Sequence, residues 1–208
     1  MYIKEIELKD FRNYKEQKVS FSDKVNIFRG QNAQGKTNLL EGIYLTSLCL
    51  SFKNIKDKEL IRFGEEYCRI RSGFISYGDE RTTEIIIRKD GKKGIKADGI
   101  KVNKTSQLLD RMFIIIFSPE DLKIVEEDPE KRRKFIDREL CQIRKGYLSD
   151  LNDYRKILKQ RNTYLKEPVI DSAMLDVWDL QLAAFGSRII KKRYDFIEQL
   201  NKVSRDIH

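Results

Sequence analysis

The stretch Gly30-Gln31-Asn32-Ala33-Gln34-Gly35-Lys36-Thr37 limits what this chain can fold into more than any other. Its spacing, G-x-x-x-x-G-K-[ST], is that of a phosphate-binding loop. Two glycines let the backbone curl until the N–H groups of Ala33 to Thr37 form a nest for phosphate oxygens. Lys36 brings a mobile cation to the β- and γ-phosphates of a nucleotide, and Thr37 brings a hydroxyl to Mg²⁺. A helix that follows aims its positive end at the same anion. The flanks agree with this reading. Lys24 to Arg29 is a short apolar run with the look of a buried strand. Thr37 to Cys49 places Leu39, Leu40, Ile43, Tyr44 and Leu48 at helical spacing. Strand, glycine loop and helix in that order point to a nucleotide polyphosphate and Mg²⁺ as the ligands.

Charge enters next, because it bears on partners. The 208 residues carry a net charge of +9. Residues 1–118 hold 23 of the 42 Lys and Arg and 16 of the 33 Asp and Glu, so the excess lies with the loop. Basic proteins meet nucleic acid or anionic membranes, although ordinary solvated lysine is the plainer account of net charge alone. Cys49, Cys68 and Cys141 are scattered, and the one histidine is His208. No metal-ligand spacing is present, which fits a reducing cytoplasm and argues against a disulfide scaffold. Neither a signal peptide nor a membrane-spanning apolar run is visible.

Read in order, Met1 to Asp10 alternates as a strand, Phe11 to Tyr14 is a turn, and Gln17 to Phe21 is a second strand closed by a tight turn at Ser22-Asp23. Residues 67–77 and 82–89 read as antiparallel strands joined at Gly78-Asp79. Between Arg88 and Lys104 lie seven basic residues, Arg88, Lys89, Lys92, Lys93, Lys96, Lys101 and Lys104, against two acids. That hairpin is either a contact for DNA phosphates or a solvated surface of the sheet. Met112 to Phe117 is a continuous apolar run expected as a strand buried at the centre of the sheet. Helices follow from Glu130. Leu151, Leu158 and Leu165 repeat every seven, with Tyr147 and Tyr154 between them. Pro168 interrupts, Asp171 or Ser172 caps a restart, and Leu175, Leu182, Ile189, Phe196 and Val203 repeat every seven, with Trp178 and Phe185 as partners. An antiparallel helical hairpin with an aromatic core is expected, its seam weakening at Lys192 and Gln199.

These motifs together resemble the RecF family of bacterial recombination-repair proteins, relatives of the Rad50/SMC-type ABC ATPases. The resemblance rests on Phe11-Arg12-Asn13-Tyr14, on the loop continued as Asn38-Leu39-Leu40-Glu41, and on Asp57-Lys58-Glu59-Leu60-Ile61-Arg62-Phe63-Gly64. It rests also on Phe117-Ser118-Pro119-Glu120-Asp121-Leu122 and on Pro129, Arg132, Arg133, Phe135, Ile136 and Asp137. Ala33 departs from the glycine usual in the family. The fold implied is α/β: a P-loop ABC-type ATPase head, with a mixed sheet and N-terminal antiparallel strands around the phosphate-loop helix, plus an antiparallel helical arm. The division expected is a head lobe over residues 1–118 and an arm over residues 119–208.

What the resemblance implies for function is an ATP-binding repair mediator. It would bind duplex DNA near single-strand gaps, dimerise on ATP, and act with RecR and RecO to load RecA. Slow, DNA-stimulated hydrolysis would reset it. The signature and Walker B motifs of such ATPases are not found in these residues, so the expectation is an N-terminal portion inactive by itself. Arg12 and Asn13 are expected near the phosphates or ribose, with a sheet-edge surface charge as the other reading of Arg12. Arg132 and Arg133 either contact DNA or a partner or pair with Glu130 and Asp137. Other readings are a different Rad50/SMC-like head, a binding module without turnover, and a small-molecule kinase. The short helical hairpin argues against the first, and the strands before the loop argue against the last.

Overall fold

The computed structural model describes residues 1–53, 55–103, 105–117, 121 and 129–207. It divides into two compact units, Met1–Ile114 and Ile115–His208. Lys104, together with Ser118, Pro119, Glu120 and Leu122 of the motif block, lies outside the described residues.

In the first unit, alternation in the sequence becomes a sheet with one apolar face. Strand β1 (Tyr2–Phe11) pairs with β2 (Tyr14–Ser20) through a two-residue turn, Arg12-Asn13, with Phe11 opposite Tyr14. Helix α1 (Lys36–Leu48) crosses over to β3 (Tyr67–Ser76), which lies antiparallel to β1. Strands β4 (Asp79–Arg88), β5 (Lys93–Ala97) and β6 (Ile100–Val102) continue as a meander, giving the order β2-β1-β3-β4-β5-β6. Two of the connections are two-residue turns with both residues at positive φ, Tyr77-Gly78 and Asp98-Gly99. That geometry matches the twist of the flanking strands. The first of these turns stands one residue earlier than the Gly78-Asp79 expectation.

One face of the sheet carries Ile6, Leu8, Phe11, Cys68, Ile70, Ile85 and Ile87, and α1 lays Leu39, Leu45 and the adjoining Cys49 on it. The helix comes close because residue 42 is glycine; a Cβ there would stand 2.8 Å from Leu8 Cδ2. The opposite face is charged. Across it run Lys18, Glu7, Arg71, Glu84 and Lys96, with cross-strand contacts Lys18–Glu7 at 3.0 Å, Arg71–Glu7 at 3.3 Å and Lys96–Glu84 at 3.4 Å.

Two apolar runs behave differently from their sequence reading. Lys24–Arg29 and Met112–Phe117 belong to no strand, and Val25, Ile27, Ile115 and Phe117 are exposed. All described pairings are antiparallel. A strand exists only where a neighbour accepts its backbone hydrogen bonds, and no described strand flanks either run. Ser22-Asp23 accordingly closes no hairpin. Asn26 instead accepts from Ser22 N at 2.9 Å and donates to Ser22 O at 3.0 Å.

The second unit comprises α2 (Pro129–Ile143), α3 (Lys145–Tyr164) and α4 (Ser172–Ile207). Leu140, Tyr147, Leu151 and Ile189 form its core, with Ile136, Cys141, Tyr154 and Phe196 against them. The heptad seam is real: Tyr164 meets Trp178 edge-on at 5.0 Å, and Asp171 caps α4 by accepting from Ala173 N at 2.9 Å. Lys192, at a seam position, reaches Asp150 at 2.8 Å. Beyond Phe196 the stripe loses cover, and Val203 is 57% exposed. Asp137 does not pair with Arg133. It accepts from Tyr147 of α3 and, at 2.9 Å to each oxygen, from Arg193 of α4, because both helices pack against α2 in the core of this unit. Glu130 pairs with Lys134 at 2.9 Å. Among the described residues no helix is long and apolar enough to cross a membrane.

Candidate functional site

Residues 30–37 form an open loop between the run at 24–29 and α1. Gly35 is the N-cap of α1 at φ 101, and Ala33 is also left-handed at φ 65. The helix starts with no side-chain cap and no acidic residue in its first turn. Its leading N–H groups are therefore left for an outside acceptor, and an anion satisfies them best. The Lys36 ammonium folds back over the loop and donates to Gly30 O at 2.6 Å and Gln31 O at 2.7 Å. Thr37 is exposed beside it. The chemistry of this set fits a polyphosphate: backbone donors, a cation on the loop's own rim, and a hydroxyl for a metal whose other ligands would be phosphate oxygens and water.

The loop is not free-standing. The Arg12-Asn13-Tyr14 turn leans on it. Asn13 Nδ2 donates to Gln34 O at 3.3 Å, Tyr14 Oη donates to Gly35 O at 3.2 Å, and Asn38 Nδ2 donates to Asn13 Oδ1 at 2.9 Å. Burial pushes the Tyr14 phenol above its ordinary value, so it stays a donor. Arg12 is left-handed at φ 56. Its guanidinium forks onto Glu41 with both bonds at 3.0 Å, and it also donates to Glu59 O at 3.0 Å. Thus Arg12 and Asn13 are brought to the loop, Asn13 directly and Arg12 by way of α1.

The sequence reading gave Glu41 no role beyond its place in the family motif and passed over Ser51 and Lys53. Glu41 is fully buried and accepts from Ser51 Oγ at 2.5 Å and Lys53 Nζ at 3.1 Å in addition to Arg12. Burial pushes its carboxyl up, but the bonds from Arg12, Ser51 and Lys53 outweigh this and hold it below its ordinary value. The one signal in the sequence was that Glu41 is the only acidic residue of α1, which marks the carboxylate and not its partners.

The basic hairpin is well supplied with counter-charges. Lys89 pairs with Glu66 at 2.9 Å, Lys92 with Asp90 at 3.2 Å, Lys93 with Asp57 at 2.8 Å, and Lys96 with Glu84. Arg88 and Lys101 are exposed, and Lys101 has no acidic partner among the described residues. No group of three or more His, Cys, Asp or Glu among the described residues has the arrangement of a metal site.

Comparison with known proteins gives the family and the fold. The profile of the AAA ATPase domain family matches residues 1–199. The DNA replication and repair protein RecF of Agathobacter rectalis is 45% identical over 211 residues, which is 100% of this chain and 58% of that protein. The structure of the recombination mediator protein RecF-ATP in the RecFOR pathway superposes with a TM-score of 0.92 at 42% identity, over 96% of this chain and 54% of that one. A structure from work on ATP-driven dimerisation of SMC ATPases shares the fold, with a TM-score of 0.54 at 24% identity over 66% of this chain and 98% of that one. The chain thus spans 58% of the length of its curated relative. It belongs to the AAA ATPase domain family, and along its whole length it is homologous to the N-terminal part of RecF.

Proposed function

We propose that this chain is the nucleotide-binding part of an ATP-dependent DNA replication and repair protein of the RecF type. The observation that carries the reading is the phosphate loop itself: an uncapped α1, left-handed backbone at Gly35 and Ala33, and Lys36 poised on the loop rim. In this reading Gly30, Gln31, Asn32, Ala33, Gln34 and Gly35 wrap the phosphates with backbone N–H groups. Lys36 turns from the Gly30 and Gln31 carbonyls to the β- and γ-phosphates, and the Thr37 hydroxyl is a ligand of Mg²⁺. Asn13 borders the nucleotide from the turn, and Arg12 adds positive potential from behind.

The whole protein would act through ATP as a switch rather than as fuel for bond chemistry. A ligand shifts a conformational equilibrium only by its differential affinity for the two states. The γ-phosphate would therefore have to favour a closed homodimer, and slow hydrolysis would release it. The relatives' names, a DNA replication and repair protein and a recombination mediator of a RecFOR pathway, support DNA and that pathway in general; in this reading the substrate is duplex DNA at single-strand gaps and the partners are RecR, RecO and RecA. The hairpin of Arg88, Lys89, Lys92, Lys93, Lys96, Lys101 and Lys104 is the proposed DNA contact. Acidic pairs limit the contribution of Lys89, Lys92, Lys93 and Lys96, and among the described residues Arg88 and Lys101 carry the charge without an acidic partner.

The test is a calorimetric titration of MgATP into the 208-residue chain and into Lys36→Ala, with phosphate release followed in the same samples. Saturable binding that Lys36→Ala loses is the expected result. Equal heats from the two proteins would overturn the reading.

A further inference from the structure

Around Glu41 the contacts close into a ring. The carboxylate holds Arg12; Arg12 is joined through the chain to Asn13; Asn13 accepts from Asn38; Asn38 accepts from Lys53 at 2.8 Å; and Lys53 returns to Glu41. Ser51 adds a fourth bond to the same carboxylate and also accepts from Lys53 N at 3.1 Å. Three separate pieces of chain are tied here: the β1–β2 turn, helix α1, and the segment after it. Both carboxylate oxygens are satisfied, and two partly exposed cations share one buried anion.

The ring does not include the loop, but it fixes what touches the loop. Arg12 has left-handed backbone in a turn of two residues, a conformation that persists only where surroundings enforce it. Its side chain supplies that enforcement through Glu41 and Glu59 O. The next two residues, Asn13 of the turn and Tyr14 at the start of β2, are the ones that hold the Gln34 and Gly35 carbonyls. Aiming those carbonyls fixes the opposite face of the same peptide units, which is where the N–H groups for phosphate lie.

We infer that Glu41 is a positioning residue of the phosphate loop, acting through Arg12 and the β1–β2 turn without touching the ligand. This rests on the loop being the nucleotide site. It makes a prediction opposite in sign to simple electrostatics. Removing a carboxylate from beside two cations raises the local positive potential and would tighten binding of an anion. Removing a positioning group loosens it.

The experiment compares Glu41→Gln, of the same shape, with the unaltered 208-residue chain. Hydrogen exchange is read first, because it needs no ligand. Faster exchange confined to residues 31–40, with β3 and β4 protected as before, is expected. MgATP affinity should then fall about tenfold, roughly the loss of one charge-assisted hydrogen bond. In the double variant Arg12→Gln/Glu41→Gln, affinity should be no weaker than in Arg12→Gln alone. Unchanged exchange at residues 31–40, acceleration spread over β3 and β4, tighter MgATP binding or additive losses would each overturn the inference. If the unaltered chain binds no MgATP, the nucleotide reading fails by itself, and the exchange comparison still decides the role of Glu41.

Discussion

Tyr14 and Gly35 meet through the hydroxyl of one and the carbonyl of the other, 3.2 Å apart. The turn of a sheet hairpin thereby bears on the last residue before helix α1. Gly35 is hemmed in at this point. A Cβ on it would stand 2.6 Å from Asn13 Nδ2 and 2.9 Å from Tyr14 Oη, and its φ of 101 suits glycine alone. The second glycine of the motif is thus required twice, for its backbone and for the clamp on it. Gly35→Ala is expected to displace the turn and weaken MgATP binding by about tenfold or more, with the α1–sheet core left folded. Calorimetry with a circular dichroism spectrum checks it, and full affinity in the variant would count against the clamp.

Ala33 occupies left-handed backbone, φ 65, on the exposed side of the loop. That conformation costs an L-residue about 1–2 kcal/mol. Glycine there would remove the cost, while its freer unfolded chain takes back about 0.5–1 kcal/mol. Ala33→Gly is therefore expected to raise Tm by about 2 °C. A fall in Tm would show that the loop relaxes around alanine without strain.

The loop, α1, the hairpins and the helical seam were all legible from local pattern. Each rests on contacts between residues near in sequence: glycines at fixed spacing, alternation across Tyr2–Phe11, a seven-residue repeat from Leu175 to Phe196. The failures share a different cause. Whether Met112–Phe117 is a strand depends on a neighbour elsewhere in the chain, and apolar content cannot report that neighbour. The Glu41 cluster likewise joins Arg12, Ser51 and Lys53 across 29, 10 and 12 positions. Nothing in the residue types at such separations announces that they converge. Asp137 illustrates the same limit. A local partner four residues away was the natural reading, whereas the fold supplies Arg193, 56 positions on.

Acid should loosen the Glu41 cluster in a defined window. The carboxyl is held below its ordinary value of 4.5 by Arg12, Ser51 and Lys53 against the opposing effect of burial. A depressed carboxylate contributes stability that is complete above the unfolded-state value and drains away as pH falls through the folded one. Other carboxylates behave alike, among them Glu84, Asp98 and Asp150. The informative quantity is therefore the Tm difference between the unaltered chain and Glu41→Gln. It should be level above about pH 5.5 and shrink below 4.5. A difference that stays constant down to pH 3 would mean that folding leaves the Glu41 carboxyl at its ordinary value.

In the helical unit, Asp137 is nearly buried and is met by Tyr147, by both arms of Arg193 and, at 3.9 Å, by Arg155. Burial and the adjoining carboxylate push the Tyr147 phenol well above its ordinary value, so it remains a donor at any working pH. Arg193→Met fills similar space but leaves a carboxylate short of its main partner. That should cost about 2–3 kcal/mol, less than a fully buried pair because Arg193 keeps 22% side-chain exposure. Tyr147→Phe removes one hydrogen bond and should cost about 1–2 kcal/mol. Since the two donors share one acceptor, the double variant should lose less than the sum of the single losses, by about 1 kcal/mol. Urea unfolding followed at 222 nm gives all three values. Strict additivity would mean that Tyr147 and Arg193 hold Asp137 independently, and unchanged midpoints would mean that the α2–α4 packing owes nothing to the charge at its centre.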